Sequence, residues 1–312
     1  MEKALVTGGA GFIGSNIVEM LVEQGVDVVV LDDLYLGEES NLSNVRDQIE
    51  FIEGSVLDVE AVEEAVEGCD TVFHQAARSS SPMHKENAAQ GARVNVEGFV
   101  NVCEAAVDAG AEKIVYASTS SMYGSVSPPH KEDMDLEPVN LYTASKMSRE
   151  MYARCYSYTE KIETTGLRYF SVFGPHEKGK GKYANVVTQF LWKMMDDEKP
   201  VIWGDGTQER DFVFVKDVAR ANILAAETGE DLNGEVFNIG RGKPVTFNQV
   251  VDKLNEALGK SIEAEKIENP RDKYVQEHKA DNSKAKEVLG WEPEYSFEEG
   301  LDKSVKYYRK TQ

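Results

Sequence analysis

Basic residues are in short supply. Lysine and arginine together number 34 against 55 aspartates and glutamates, leaving a formal net charge of −21 over 312 residues. Such a chain repels nucleic-acid phosphates and anionic membrane surfaces, so neither partner is expected. An anionic ligand would need a local basic island. Cysteine is scarcer still: Cys69, Cys103 and Cys155 make an odd three, with no C-x-x-C pair. That argues against a disulfide framework and a zinc site, and it suits a reducing cytoplasm. The five histidines are scattered without metal-ligand spacing, so no metal is expected. No apolar run approaches the ~20 residues needed to span a bilayer. The N-terminus offers only Ala4-Leu5-Val6 before Thr7-Gly8, so no leader peptide is expected. Prolines are few and 41% of residues are hydrophobic, as in an ordered globular protein. A soluble cytoplasmic protein is expected.

What is present begins with glycine. Residues 3–6 form a short apolar run leading into Thr7-Gly8-Gly9-Ala10-Gly11-Phe12-Ile13-Gly14, and Ile13, Ile17, Met20 and Leu21 then follow helical spacing. Strand, glycine turn and helix in that order are the context of a dinucleotide fingerprint. Gly8 permits the tight turn, Gly11 lets a pyrophosphate approach, and Gly14 lets helix pack on strand. The free N–H groups of the helix N-terminus then face the phosphates. The apolar run Val26–Leu31 ends in Asp32-Asp33. A carboxylate there accepts from adenosine ribose hydroxyls and repels a 2′-phosphate. The next basic residue along the chain is Arg46, so NAD rather than NADP is the expected cofactor.

Strand and helix patterns continue to alternate. Strands are predicted at 49–53, 71–74, 113–117 and 164–169, with helices at 59–66, about 86–109 and 142–158. This predicts an α/β fold with a doubly wound parallel sheet. After Gly174 the alternation loosens. His176–Lys182, with three lysines and two glycines, reads as a mobile loop. Helices follow at about 184–195, 215–227, 246–258 and 297–309, with short strands at 201–203 and 235–239. The expected division is a cofactor domain over 1–173, to which residues near 211–241 return, and a smaller mixed α/β substrate lobe over 174–312.

In the middle stands Tyr142-Thr143-Ala144-Ser145-Lys146. On a helix, Tyr142 and Lys146 lie one turn apart on one face. Free tyrosine has a pKa of about 10, and a nearby ammonium favours its phenolate. A tyrosine so tuned takes a proton from an alcohol. Spacing alone carries little, since Y-x-x-x-K also arises by chance on solvated helix faces.

Three features in order give it weight: the Gly8–Gly14 fingerprint, Ser118-Thr119-Ser120-Ser121-Met122-Tyr123-Gly124 at a strand end, and Tyr142…Lys146. Together they resemble the extended short-chain dehydrogenase/reductase family, specifically its nucleotide-sugar epimerases and dehydratases. The likeness continues through Leu167–Pro175, Gly204–Phe212 and Leu289-Gly290-Trp291-Glu292-Pro293, covering nearly the whole chain. It implies Tyr142 as catalytic base, Lys146 on the nicotinamide ribose and lowering the tyrosine pKa, and Thr119 on the reacting sugar hydroxyl. Gly8, Gly11, Phe12, Ile13, Gly14, Asp32, Asp33, Val56, Ala76, Ala77, Asn95, Tyr169 and Val172 fall at cofactor positions, besides Tyr142 and Lys146. Ser79, Ser80, Ser171, Arg210, Arg271 and His278 fall at substrate positions. The two arginines would clamp a diphosphate and form the basic island; His278 would border the sugar's C2 substituent.

The dehydratases of this family carry an acidic pair after the threonine, where this chain has Ser120 and Ser121. The resemblance therefore implies NAD-dependent epimerisation at C4 of a UDP-hexose, the pair UDP-glucose and UDP-galactose, through a transient 4-keto sugar. It also implies a homodimer. Ser171 replaces the family's asparagine, Ser55 an aspartate, and Lys273-Tyr274 a Gly-Asp pair, which leaves the sugar open. An epimerase or decarboxylase of a UDP-uronic acid, with Arg78 and Ser79–Ser81 on the extra carboxylate, remains an alternative. A non-catalytic NAD-binding regulator is another.

Overall fold

The computed structural model describes residues 1–160, 162–269 and 275–311. Seven parallel strands form its central sheet: β1 (Lys3–Thr7), β2 (Asp27–Asp32), β3 (Ile49–Glu53), β4 (Thr71–His74), β5 (Lys113–Thr119), β6 (Glu163–Tyr169) and the strand Glu235–Ile239. The spatial order is 235–239, β6, β5, β4, β1, β2, β3. The chain winds outward from β1 to β3, then crosses to β4 on the other side of β1. A crevice opens at such a reversal, beyond the carboxyl ends of β1 and β4.

The strands read as nearly unbroken apolar runs because both faces are covered. Alternate side chains serve opposite cores. Ala4, Val6, Val28 and Val30 face a cluster with Ile17, Leu21 and Val218, from the helices Phe12–Glu23 and Val215–Glu227. Leu5, Val29 and Leu31 face Val62, Phe99, Val102 and Ala153, from the helices Val59–Val66, Gly98–Asp108 and Leu141–Thr159.

Beyond β6 the chain pairs in short pieces. Ser171–Phe173 runs parallel to Phe212–Phe214, Glu209–Arg210 antiparallel to Val245–Thr246, and Val201–Trp203 parallel to Glu265–Ile267. Buried carboxylates bind these pieces together. Asp211 accepts from the backbone N–H groups of Arg241, Gly242 and Ala280, and Asp217 from those of Glu294 and Tyr295.

Two expectations change. The long helix over 86–109 is broken: Asn87 leaves helical geometry at φ −150° and caps a new helix, Ala88–Ala92, through Gln90 N–H. Its short amide competes with the helix for backbone partners. Arg93–Glu97 is then a π turn before Gly98–Asp108 resumes, and this widened turn sends Asn95 inward. The segment 176–182 is tied down rather than loose. The fully buried Glu177 carboxylate accepts from Lys180, Asn185 N–H and Thr188, and Lys178–Tyr183 forms a 3₁₀ turn.

Candidate active site

A cleft of about 950 Å³ lies across the carboxyl ends of the strands. At one end is the glycine loop. Gly8 has φ +69°, and a Cβ there would sit 2.7 Å from Ala76 N. A Cβ on Gly14 would lie 2.1 Å from the Gly8 carbonyl oxygen. Strand, loop and helix therefore meet backbone to backbone, and Gly11 leaves the helix N-terminus open to the cleft. Phe12, Ile13, Val56, Ala76 and Ala77 line the same end. This bare cradle of N–H groups fits a dinucleotide pyrophosphate.

Asp32 and Asp33 divide their work. Asp32 is buried, accepting from Ala10 N–H on Oδ2 and Leu34 N–H on Oδ1, both at 2.9 Å. Burial pushes its pKa above the ordinary value, against the pull of these bonds. Asp33 pairs with Arg78 at 3.2 Å, and the Arg78 guanidinium lies 3.6 Å over the Tyr35 ring. A cation thus reaches Asp32-Asp33 from the turn after β4. It is already neutralised there. Asn95 does not line the cleft: it is fully buried behind the wall, where its amide accepts from Arg78 N–H and donates to Arg78 O and Ser145 Oγ. It holds the wall's shape through the Arg78 backbone.

At the other end stand Thr119, Tyr142 and Lys146. The helix Leu141–Thr159 begins in a capping box between Asn140 and Thr143, which fixes the turn bearing Tyr142. Thr119 lines the cleft with the phenol, and His84 meets the Tyr142 ring edge-on at 5.4 Å. Lys146 Nζ donates to the Ala117 carbonyl at 2.9 Å. Burial is the strongest influence on both groups. It raises the phenol above its ordinary pKa, with Thr119 and Arg149 pulling back. It depresses the ammonium of Lys146 far below the ordinary lysine range, assisted by Arg149. Both groups lie buried on the inward side of one helix, one turn apart.

Ser79, Ser80, Tyr169, Ser171, Val172, Arg210 and His278 also line the cleft. His278 Nε2 donates to Ser120 O at 3.1 Å, and its ring packs 4.8 Å from Phe170 and 4.9 Å from His130. Arg271 lies outside the described residues. Lys180, within the 176–182 segment expected to order around a diphosphate, lines the cleft. Sequence reasoning overlooked Tyr183 and Asn185, which line it next to that segment, and the buried Arg149, which shares the inward helix row of Tyr142 and Lys146. That row was the signal for Arg149.

Residues 4–240 match the NAD dependent epimerase/dehydratase family. The chain belongs to this family. Family membership makes it an NAD-dependent enzyme of the epimerase/dehydratase type. A UDP-glucose 4-epimerase of Thermotoga maritima, solved with UDP-glucose, superposes with a TM-score of 0.92 at 38% identity, covering 99% of each chain. A UDP-glucose 4-epimerase of Mycolicibacterium smegmatis is 34% identical over 98% of each chain. A UDP-glucuronic acid 4-epimerase of Bacillus cereus, solved with UDP-glucuronic acid and NAD, superposes with a TM-score of 0.90 at 28% identity over 99% of this chain and 100% of that one.

The glycine cradle makes a prediction. Gly14→Ala should raise the NAD dissociation constant at least tenfold, about 1.4 kcal/mol, in a fluorescence titration, since its methyl group drives helix from strand. Wild-type affinity in the variant would show that the loop is not the phosphate cradle.

Proposed function

We propose that the enzyme interconverts UDP-glucose and UDP-galactose by epimerisation at C4. One observation carries this reading among the family's reactions: the only carboxylates lining the cleft among the described residues are Asp32 and Asp33, at the glycine-loop end. Beside Thr119, where elimination of water needs a carboxyl acid, stand Ser120 and Ser121. Ser120 Oγ is spent on the Tyr169 carbonyl at 2.8 Å. Proton removal without elimination leaves oxidation and reduction at one carbon.

NAD, bound in the glycine cradle, would supply a reversible hydride acceptor. Tyr142 takes the C4 hydroxyl proton and later returns it to the other face's alkoxide. Thr119 donates to the same sugar oxygen and orients it. Lys146 would hold the nicotinamide ribose. Arg210, with Arg271, grips the diphosphate as a bidentate fork. Ser79, Ser80 and Ser171 take sugar and phosphate oxygens with short side chains, which leaves room for the flat 4-keto sugar to turn over. Residues 174–312 then act mainly as the substrate lobe of a cytoplasmic enzyme.

A neutral hexose is favoured over a uronic acid because two cleft cations are already paired, Arg78 with Asp33 and Lys180 with Glu177. NMR of UDP-glucose, UDP-galactose and UDP-glucuronate with purified enzyme and no added reductant decides. Interconversion of the first two is expected, and turnover of the uronate alone would overturn the choice of sugar. Tyr142→Phe should keep NAD binding while losing turnover by about 10²–10⁴, the usual worth of a general base; near-normal turnover would remove Tyr142 from the chemistry.

His278 carries a further prediction. A mid-sized ring beside the sugar's C2 leaves room for a hydroxyl more readily than for an N-acetyl group. His278→Ser should raise kcat/KM on UDP-N-acetylglucosamine relative to UDP-glucose severalfold. An unchanged ratio would free His278 of that role.

A dimer is proposed as well. Met151, Tyr152, Cys155 and Tyr158 stand exposed along one side of the helix Leu141–Thr159, with Met151 70% and Tyr158 89% exposed. An apolar stripe of this kind marks an interaction surface, and its occupant here is a second copy related by a twofold axis. Sedimentation should find a dimer that Tyr158→Asp dissociates; a monomeric wild type would contradict it.

A further inference from the structure

His84 is 2% exposed, on the short helix Ser81–Glu86 that follows the cleft-lining Ser79 and Ser80. It does not line the cleft itself; it stands behind the wall. Its Nδ1 lies 3.2 Å from the Ser80 carbonyl oxygen. Its Nε2 lies 3.3 Å from Asn95 Nδ2 and 3.4 Å from Ser145 Oγ. The ring meets that of Tyr142 edge-on, with centroids 5.4 Å apart. A Cβ on Gly91 would lie 2.5 Å from His84 Cδ2, so the ring also rests on bare backbone of the helix Ala88–Ala92. One buried imidazole therefore joins the wall after β4, the π turn and the helix that carries Tyr142 and Lys146.

Backbone groups fix the sense of each bond. Arg78 N–H can only donate, so the amide atom 2.8 Å from it is the Asn95 oxygen. Asn95 consequently turns its NH₂ group toward Arg78 O, Ser145 Oγ and His84 Nε2. Ser145 Oγ spends its own hydrogen on the Tyr142 carbonyl at 2.7 Å. At Nε2 the ring thus accepts. A carbonyl oxygen can only accept, so Nδ1, facing Ser80 O, carries the hydrogen. A hydrogen on Nε2 would meet the Asn95 amide donor to donor. The surroundings call for the neutral ring, and for one tautomer of it.

We infer that His84 is a positioning residue, which seats the Tyr142 ring against the Ser79–Ser80 wall and does so as the neutral Nδ1–H tautomer. It acts through Tyr142: the edge contact sets where that ring lies, and the bonds at Nε2 fasten the imidazole to the turn between Tyr142 and Lys146. The titratable groups facing it from that helix are Tyr142 and Lys146. The helix Ala88–Ala92 carries no titratable side chain. In the π turn, Arg93 and Glu97 are exposed and paired with each other at 3.0 Å. On its own helix Lys85 is exposed, and the exposed Glu86 is bonded to Lys182 and Tyr183. Burial is the strongest influence on the imidazole and holds its pKa below the ordinary histidine value; Lys146 assists, and the Ser80 and Gly91 backbones oppose. The ring is therefore neutral at neutral pH. Protonation on the acid side turns Nε2 into a donor against Asn95, so the seat loosens and turnover falls as pH drops.

This inference rests on Tyr142 being the base, and its test has one arm that needs no turnover. Protein loaded with NAD and labelled with ¹⁵N-histidine is read by NMR, the His84 signals being assigned by their loss in His84→Gln. At neutral pH Nδ1 should be protonated and Nε2 not; an Nε2–H tautomer or an imidazolium overturns the inference. The second arm is kinetic. His84→Phe keeps a flat ring beside Tyr142 but no acceptor, and should lower kcat on UDP-glucose at least about tenfold, as a misplaced reacting group does. KM should change less than about twofold, since the loss falls on the chemical step. His84→Gln places an amide oxygen where Asn95 donates and does not titrate. It should recover kcat to within about threefold of wild type and move the acid limb of kcat to lower pH by at least about half a unit. Phenylalanine serving as well as glutamine would reduce His84 to packing, and an acid limb unmoved in His84→Gln would remove the tautomer from the rate; either result overturns the inference. Should the phenylalanine variant not fold, His84→Met against His84→Gln gives the same comparison. If UDP-glucose is not turned over, the choice of substrate fails, while the ¹⁵N signals still decide the tautomer and the same rates on UDP-glucuronate decide the positioning.

Discussion

The reacting end of this enzyme depends on positive charge held in a dry interior by backbone carbonyls. Lys146 and Arg149 converge on Ala117 O, and Arg149 continues to Ala76 and Asn95. An unpaired buried cation is costly, so the carbonyls that solvate it must stay in place. The surrounding elements are correspondingly fixed. The sheet sets β4 and β5 side by side, with His74 opposite Tyr116. The π turn brings Asn95 to the same point, and the capping box starts the helix in the register that carries the row inward.

The same economy of charge runs through the cleft. A chain at −21 overall must offer an anionic dinucleotide and an anionic sugar nucleotide somewhere to bind. It does so with N–H groups at the glycine loop and with few cations, two of which are held by partner carboxylates. Arg78 braces the wall beside Asp33, and Lys180 is fastened by the buried Glu177. Binding here relies on oriented dipoles at a helix terminus, which do not need a basic surface.

Buried aspartates perform the converse service on the substrate side. Asp211 gathers three N–H groups from residues distant in sequence, one of them Ala280, two residues after His278. Arg210 precedes the same aspartate, so one carboxylate anchors both sides of the cleft's outer edge. Charge-assisted bonds to backbone donors suit this task, because they fix loops that have no sheet to join.

The parallel sheet, the glycine fingerprint and the Tyr142–Lys146 pair were legible in the amino-acid order because each is a local signal. Apolar runs bounded by turns define strands, and glycines in series define a turn that tolerates no side chain. Helical spacing puts two residues on one face. The cofactor class and the family follow from these alone. Where the signal was long-range, sequence fell short. Asn87 and the π turn interrupt a stretch whose periodicity reads as one helix, because side-chain competition and tertiary packing override period. Arg78 lies 45 positions from Asp33 and meets it only because β4 crosses back beside β1. Asn95 was expected at the cofactor and stands behind the wall instead. The electrostatics of Tyr142 could not be read from spacing, since i, i+4 geometry states that two groups are near but not how much water they have lost. Burial shifts both groups, and burial is a property of the folded chain.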